Sequence, residues 1–476
     1  MAQSGKQGSR NQTVLDRLKI IFGITVVAAG TFFVIIFYIF FASGGQMYFY
    51  YPYTYPETIT MVQTIFPIAL ALIGLIMFLL IAVLYKCIRH RPLKKSLTVI
   101  SSILAVLSVG GSGIMLYFAS PNIPFWFYDA GPYLTWSNNQ DASTGITVNW
   151  HSSWTTGSSV RYGSSPDHLD FTATSSDFSQ FHHVRIDGLL PNTTYYYRVD
   201  LLNAGMKSFK TAPVGNATFS FCVWSDPREN NPYDAAITGP NMPAIMEQQT
   251  QLAGKKREFS VCCGDITARG VDRQTWKLWL EDICTNDFAC NYSHAVSFGN
   301  HERHDDTVGR NLPLFYRYDP TTYSFTYGQV HCILLDPWNV SNAYWSYIPA
   351  NIYMWMEEDL QAHANSSFTI LAVHAPPVFW DGSVASNPAD TGGSGAIGTQ
   401  IVALASAYNI DAVFSGHWHG FWKYNLTGTL YYGIGIGGAE SSGYGYGRVD
   451  VNATAMVVNA IHAETNTIFD TATILA

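Results

Sequence analysis

Five short apolar runs, at residues 219–224, 259–263, 295–298, 370–373 and 412–414, each lead into turn residues and a potential metal ligand. The endings are Ser225-Asp226-Pro227-Arg228, Gly264-Asp265, Gly299-Asn300-His301-Glu302, His374-Ala375-Pro376 and Gly416-His417-Trp418-His419. Apolar runs this short, bounded by turn residues, read as buried strands. Open α/β sheets collect their functional groups at strand ends on one rim, so the five endings are expected to converge. Asp, Asn and His are the oxygen and nitrogen donors that borderline divalent metals accept, and a carboxylate such as Asp265 can bridge two ions about 3.5–4 Å apart. A lone Gly-Asp or Gly-His-x-His is commonplace; the order of the five carries the expectation.

A different texture fills residues 129–213. Residues 146–150, 159–162, 183–186 and 195–201 are alternating or β-branched, with Gly, Ser, Asp and Pro turns between them at the spacing of a β-sandwich. The pair His182-His183 invites a metal reading, but adjacent strand residues point to opposite faces and cannot chelate one ion, so packing roles are expected. After His374, the stretch from Phe379 to Gly398 is rich in Gly, Ser and Asn and reads as a surface loop, followed by a helix at about 397–408. Loops over a site set substrate choice, which makes Trp380 and Asp381 candidates for substrate contact.

The five clusters in this order resemble the calcineurin-like metallophosphoesterase superfamily. The run from His182 through Pro191-Asn192-Thr193-Thr194-Tyr195 to Val199, closed by Phe209-Lys210-Thr211-Ala212-Pro213, is similar to the fibronectin-III-like domain that precedes the catalytic domain of purple acid phosphatases. The likeness implies a multidomain chain, with an all-β fibronectin-III-like sandwich at 129–213 and an α/β metallophosphoesterase sandwich of αββα layers at 215–476. A tyrosine after the Pro-Asn-Thr-Thr turn would make a corner hydrogen bond. Two divalent or mixed-valence ions of iron, zinc or manganese are implied as cofactors. One would be held by Asp226, Asp265 and His419, the other by Asp265, Asn300, His374 and His417. His301 would contact the phosphate or protonate the leaving alkoxide, and Glu302 would hydrogen-bond a neighbouring histidine and fix its ring, with a helix-cap or surface role an equal reading. The implied reaction is hydrolysis of a phosphate monoester by hydroxide activated on the metal pair. Phosphodiester hydrolysis at the same site, and a cell-surface adhesion protein with a degenerate site, are the alternatives.

The departures from the family concern the first ion. Many members carry His two positions after the first Asp, where this chain has Arg228; purple acid phosphatases place a ligand Tyr three positions after the bridging Asp, where it has Ala268. Three protein ligands and an open position still suit a catalytic metal. Arg228 is left either to bind substrate phosphate as a fork-shaped donor or to make a plain salt bridge to Glu229 or Asp265, and no tyrosinate-to-iron colour is expected.

Residues 20–56, 58–85 and 96–128 contain no charged side chain. Three transmembrane helices are therefore expected at about 18–42, 59–85 and 97–119. Lys6, Arg10, Arg17 and Lys19 precede the first, Lys86, Arg89, Arg91, Lys94 and Lys95 join the second to the third, and the first loop has neither Lys nor Arg. That bias puts residues 1–17 and the second loop in the cytoplasm and the chain after about 120 outside, anchored to the bilayer. Residues 1–119 carry a net charge of +7 and residues 120–476 one of −15. An acidic exterior argues against nucleic-acid partners, which need a basic surface, so attraction for a phosphate ester has to be local. Cys284 and Cys290 could close a disulfide in an oxidising exterior, whereas Cys222, Cys262, Cys263 and Cys332 fall in expected core strands. Asn-x-Ser/Thr acceptors such as Asn192, Asn291 and Asn452 are compatible with surface glycosylation.

Overall fold

The structure, a computed structural model, describes residues 129–476 apart from 137–139, 201, 203, 228–241, 272, 285–286, 304–310, 317–320, 338–346, 386–395 and 436–443. The three expected membrane spans, the segment before them and Arg228 lie outside the described residues. Among the described residues no helix is long and apolar enough to cross a membrane. All of them fall within one compact unit, Tyr117–Ala476.

The first part of that unit is β-rich, with β1 (Ala130–Thr135), β2 (Ile146–Gly163), β3 (Phe171–Ile186), β4 (Thr194–Arg198) and β5 (Lys207–Lys210). Residues 146–150 and 159–162, expected as separate strands, are the two ends of one 18-residue strand. β3 follows one edge of β2, while β1 and β4 pair with opposite ends of its other edge. Hydrogen bonding therefore joins all five strands into a single antiparallel sheet instead of two. Alternation buries Ile146, Val148 and Trp150 on one face. His182 stacks on Trp150 at 4.6 Å and bonds Ser152 and Ser158 through its two ring nitrogens. His183 points the other way, spanning the Asn149 side chain and the Leu314 carbonyl. Burial lowers the His182 imidazole to about 4, so it packs as a neutral ring. The corner is present: the Leu190 N–H donates to the Tyr195 hydroxyl at 3.0 Å.

The second part holds two six-stranded sheets. One runs in the order β17 (Ile468–Leu475), β16 (Ala455–His462), β15 (Gly445–Val451), β6 (Phe219–Trp224), β7 (Arg257–Cys262), β8 (Ser293–Val296). The other runs β13 (Phe421–Leu426), β14 (Thr429–Ile434), β12 (Ala412–Ser415), β11 (Phe368–Val373), β10 (Val330–Leu335), β9 (Tyr323–Tyr327). β6, β7 and β8 are parallel, as are β10, β11, β12 and β14, and both faces of each group are covered. That is why they read as continuous apolar runs and not as alternating ones.

Period two still sorts the side chains. Ile333, Leu335, Leu371, Val373 and Val413 pack on Met356 and Leu360 of the helix Ala350–Ala362 and on Ile397, Ile401 and Leu404 of the helix Ile397–Tyr408. Cys332, Leu334, Ile370, Ala372 and Phe414 face the core shared with Phe221, Val223, Phe259 and Val261 of the other sheet. Two sheets back to back with helices outside give the expected αββα layers. The helix over Ile397–Tyr408 falls where the sequence placed it and ends on Asn409 at φ 54, a left-handed cap.

The β-rich domain docks on residues 287–291, where Leu134 N donates to Ala289 O, the Tyr197 hydroxyl to Cys290 O, and Lys207 to Asp287 at 2.6 Å. Cys284 and Cys290 flank this seam as free thiols, the Cys290 thiol directed at the Cys284 carbonyl, in place of the disulfide the spacing allowed. Ser208 N donates to the Asn291 side chain, so that glycosylation acceptor is engaged in the seam, whereas Asn192 and Asn452 are exposed.

A second titratable cluster sits near the start of β10, four residues and roughly 13 Å along the strand from the end that lies beside Val373 and the His374 rim. There Asp359 accepts from His331 at 2.8 Å and from Ser324, lies 3.4 Å from His363, and the two imidazoles stack at 3.9 Å. Burial alone would raise the Asp359 carboxyl, but hydrogen bonds from His331 and His363 outweigh it and hold it well below the usual range. The Asp359 hydrogen bond raises His363. A depressed Asp contributes stability above its unfolded value near 4, and a raised His below its unfolded value near 6.5, so both act together between roughly pH 4 and 6.5. Asp359→Asn is expected to cost about 1–2 kcal/mol in that window, discounted for the partial exposure of His363, and less above it, where His363 loses its proton and the charged part of the contact goes with it. Thermal denaturation from pH 4 to 9 checks this; a pH-independent difference would contradict it.

Candidate metal centre

Each strand of the expected set delivers its ligand to one rim. Asp226 follows β6 and Asp265 follows β7, both in the left-handed region at φ 57 and 53, and both are buried. Asn300 opens a single helical turn, Asn300–Arg303, after β8; His374 follows β11, and His417, at φ 68, follows β12. Non-glycine residues at positive φ are uncommon and carry strain, so three among the ligands mark backbone bent to aim side chains. Small neighbours make the approach possible. A Cβ on Gly416 would run into the Ser225 hydroxyl and the Asp226 carboxylate, and one on Gly299 into Asp265.

The donor atoms converge. His374 Nε2 lies 3.2 Å from both Asp265 Oδ1 and Asn300 Oδ1, and His417 Nδ1 lies 3.1 Å from Asn300 Oδ1. The His374 and His417 rings meet edge to face at 5.2 Å. His374 Nδ1 bonds the Cys263 carbonyl at 2.8 Å, which fixes the tautomer and presents Nε2 to the centre. Asp226 accepts the His417 backbone N–H at 2.9 and 3.2 Å, and His419 Nε2 stands 3.6 Å from its Oδ1. Asp226, Asp265 and His374 have ligand atoms all within 4.8 Å of one another.

Burial pulls the His374 imidazole down, but Asp265 and Asp226 outweigh it and raise it to about 9. Burial and the neighbouring His374 lower His417 to about 4. Two buried carboxylates thus demand a positive charge from an imidazole between them, which is the electrostatics of a site shaped for a cation. Oxygen and nitrogen donors in this number and spacing fit two borderline divalent metals.

Of the two readings of Glu302, histidine partner or helix cap, the structure shows the cap. Buried, it accepts the N–H groups of Gly299 (2.6 Å), Thr267 (2.9 Å) and Asp265 (3.0 Å) and the Thr267 hydroxyl (3.2 Å). The bond to Gly299 is the back half of a capping box on the Asn300 turn, and the others hold the Asp265 loop against it. Burial and the charge of Asp265 push the Glu302 carboxyl up to about 7, opposed by those N–H groups.

His301 points Nδ1 at the Ala268 carbonyl at 2.7 Å and holds Nε2 3.8 Å from Asp265 Oδ2, a quarter exposed. The position where the resemblance expected a tyrosine therefore contributes a backbone acceptor. Asp381, a candidate for substrate contact, spends Oδ1 on the N–H and hydroxyl of Ser383 and shapes its own turn. Trp380 beside it is 59% exposed. The sequence did not single out the buried ion pair of Arg303 with Asp336, which ties the Asn300 turn to the end of β10. The partners lie 33 residues apart, and no local pattern joins them.

Comparison with known proteins agrees with this layout. Residues 131–228 match the purple acid phosphatase N-terminal domain and residues 238–421 the calcineurin-like phosphoesterase domain. Purple acid phosphatase 23 of Arabidopsis thaliana is 26% identical over 303 residues, covering 54% of this chain and 62% of its own length. Purple acid phosphatase 21 of the same plant is 23% identical over 316 residues, covering 59% and 65%. The chain thus spans under two thirds of the curated relatives it matches. A purple acid phosphatase from yellow lupin (Lupinus luteus) seeds superposes with a TM-score of 0.58 at 16% identity, over 73% of this chain and 74% of that one. PhoD gives 0.52 at 14% identity, over 74% and 89%. At these identities the solved structures show the fold. Metallophosphoesterases of this kind use a dinuclear metal centre, and the convergent Asp, Asn and His side chains occupy the rim where one would sit. Residues 131–228 of this chain thus correspond to a purple acid phosphatase N-terminal domain and residues 238–421 to a calcineurin-like phosphoesterase domain.

Proposed function

We propose that this chain hydrolyses phosphate monoesters at a pair of metal ions held on the ligand rim. The observation that carries the reading is the buried convergence of Asp226, Asp265 and His374, with Asn300 and His417 closing the set. Asp226, Asp265 and His419 would hold one ion, and Asp265, Asn300, His374 and His417 the other. When bound, the pair would supply Lewis-acid activation of water and neutralise charge on the phosphoryl oxygens. The chain's own part is orientation and proton delivery. Cys263 O turns His374 and Glu302 holds the Asp265 loop, so the ligands are set before substrate arrives. His301, its Nδ1 committed to Ala268 O, keeps Nε2 toward the centre, where a proton can pass to the departing alkoxide oxygen.

Substrate comparison tests this reading. The purified full-length chain should hydrolyse p-nitrophenyl phosphate much faster than bis-p-nitrophenyl phosphate across pH 4–8, and chelation should abolish turnover. A reversed preference would make it a phosphodiesterase, and no hydrolysis with metal present would favour a binding protein with a degenerate site.

We also propose that residues 18–119 anchor the enzyme with the catalytic domain outside. The uncharged runs and the Lys/Arg asymmetry support this. Protease added to intact cells should release an active fragment of the later domains; complete protection of those domains would overturn the orientation.

A further inference from the structure

Two of the ligand loops each carry a large aromatic side chain that the metal chemistry leaves unused. Trp418 stands between His417 and His419, and its ring is 37% exposed. Trp380, six residues after His374, is 59% exposed. The two indoles meet at 5.7 Å and 61°, and Phe379, almost buried, touches both at 5.9 and 5.8 Å. The result is a three-ring wall rooted in the loops of His374 and His417.

The wall is stiff. Phe379 N bonds Ser383 O, Gly382 N bonds Phe379 O, both at 3.0 Å, and Val378 bridges to Val384. The Asp381 carboxylate closes the same turn through Ser383, and Gly382 lies so near the Tyr424 ring that a Cβ would collide with it. On the other loop, Trp418 N bonds Gly416 O at 2.8 Å. The Trp418 carbonyl and the Asp226 carboxylate both crowd the place where a Gly435 Cβ would be. The Trp418 carbonyl and a ligand carboxylate thus border the same glycine.

Holding two indoles in water forgoes the burial energy that would draw them inward, so their retention on braced turns asks for an apolar occupant. Both indoles keep surface exposed outside their edge-to-face contacts, and an exposed indole stacks well on a flat π-system. The neighbouring metal rim takes the phosphate. Resting on the phosphatase reading, we propose that Trp380 and Trp418 form a specificity wall for phosphate monoesters whose alcohol portion is planar and aromatic. An aryl phosphate and a nucleoside monophosphate share that chemistry.

The test compares kcat/KM of the purified full-length chain for phenyl phosphate, adenosine monophosphate and glycerol 2-phosphate, in wild type, Trp380→Ala and Trp380→Phe. Wild type should favour the aromatic substrates. Trp380→Ala should reduce that preference about tenfold, chiefly through KM, and Trp380→Phe should restore most of it. Preference for phenyl phosphate alone identifies the aryl source, and preference for both identifies any planar group. Binding gives a second readout: phenylphosphonate should quench tryptophan emission more than methylphosphonate, with the difference lost in Trp380→Ala. If Trp380→Ala slows all three substrates by one factor, or wild type shows no preference, the wall is merely packing and the proposal falls. If no substrate turns over while the selective quenching persists, the wall stands as a binding surface and the phosphatase reading falls instead.

Discussion

Asp265→Asn should lower phosphatase turnover by at least about 10²–10³-fold, more than the cost of losing one orienting group around a metal. Asp265 is buried, sits at φ 53, takes the His301 N–H on Oδ1 at 3.0 Å and faces His374 Nε2 from the same oxygen. Its other oxygen lies toward His301. An amide keeps one acceptor and turns the other into a donor, so it cannot bridge two cations. It also removes a buried negative charge that His374 and any bound ion both answer to. Steady-state kinetics of the purified variant, with circular dichroism to verify folding, checks the prediction; undiminished turnover would contradict it.

Glu302→Gln should be the most damaging conservative change around the site. Both carboxylate oxygens accept: Oε2 from Asp265 N and Gly299 N, Oε1 from the Thr267 N–H and hydroxyl. A glutamine must turn its NH2 toward one of those pairs, placing donor against donor in a buried site. A buried donor left without an acceptor costs about 1–3 kcal/mol, and here two are affected. A loss of roughly 2–4 kcal/mol is expected, a fall of about 5 °C or more in thermal midpoint for a domain of this size. Turnover should fall with it, because the same bonds hold the Asp265 loop to the Asn300 turn. A variant as stable as wild type would show that these donors find other acceptors.

What the sequence made legible was what local pattern encodes. Runs such as 219–224 and 370–373 are too short for helices and too apolar for loops, so parallel buried strands followed, and with them the rim of ligands. The Ile397–Tyr408 helix was visible for the same reason, and the Tyr195 corner through the likeness to the fibronectin-III-like domain. Contacts across the fold were not. Glu302 was legible equally as a histidine partner or as a helix cap, and the cap on the Asn300 turn is what forms; its bonds to the Asp265 loop, more than thirty residues upstream, had no local signal. The single long β2 was hidden by Ser152, Ser153 and Gly157, turn-like residues that a strand tolerates when both its ends are paired. Asp381 was legible as a substrate contact or as plain loop packing, and the bond that closes its turn around Ser383 joins residues only two apart. Trp418 was noted only as a spacer between histidines, since nothing in the sequence brings it to Trp380.

The most direct measurement is the metal content of the purified full-length chain beside Asp265→Asn. Elemental analysis after exhaustive dialysis should find about two equivalents of divalent or trivalent transition metal in wild type and less than one in the variant. Wild type retaining full turnover with no bound metal, or Asp265→Asn retaining both ions, would contradict a dinuclear centre bridged by Asp265.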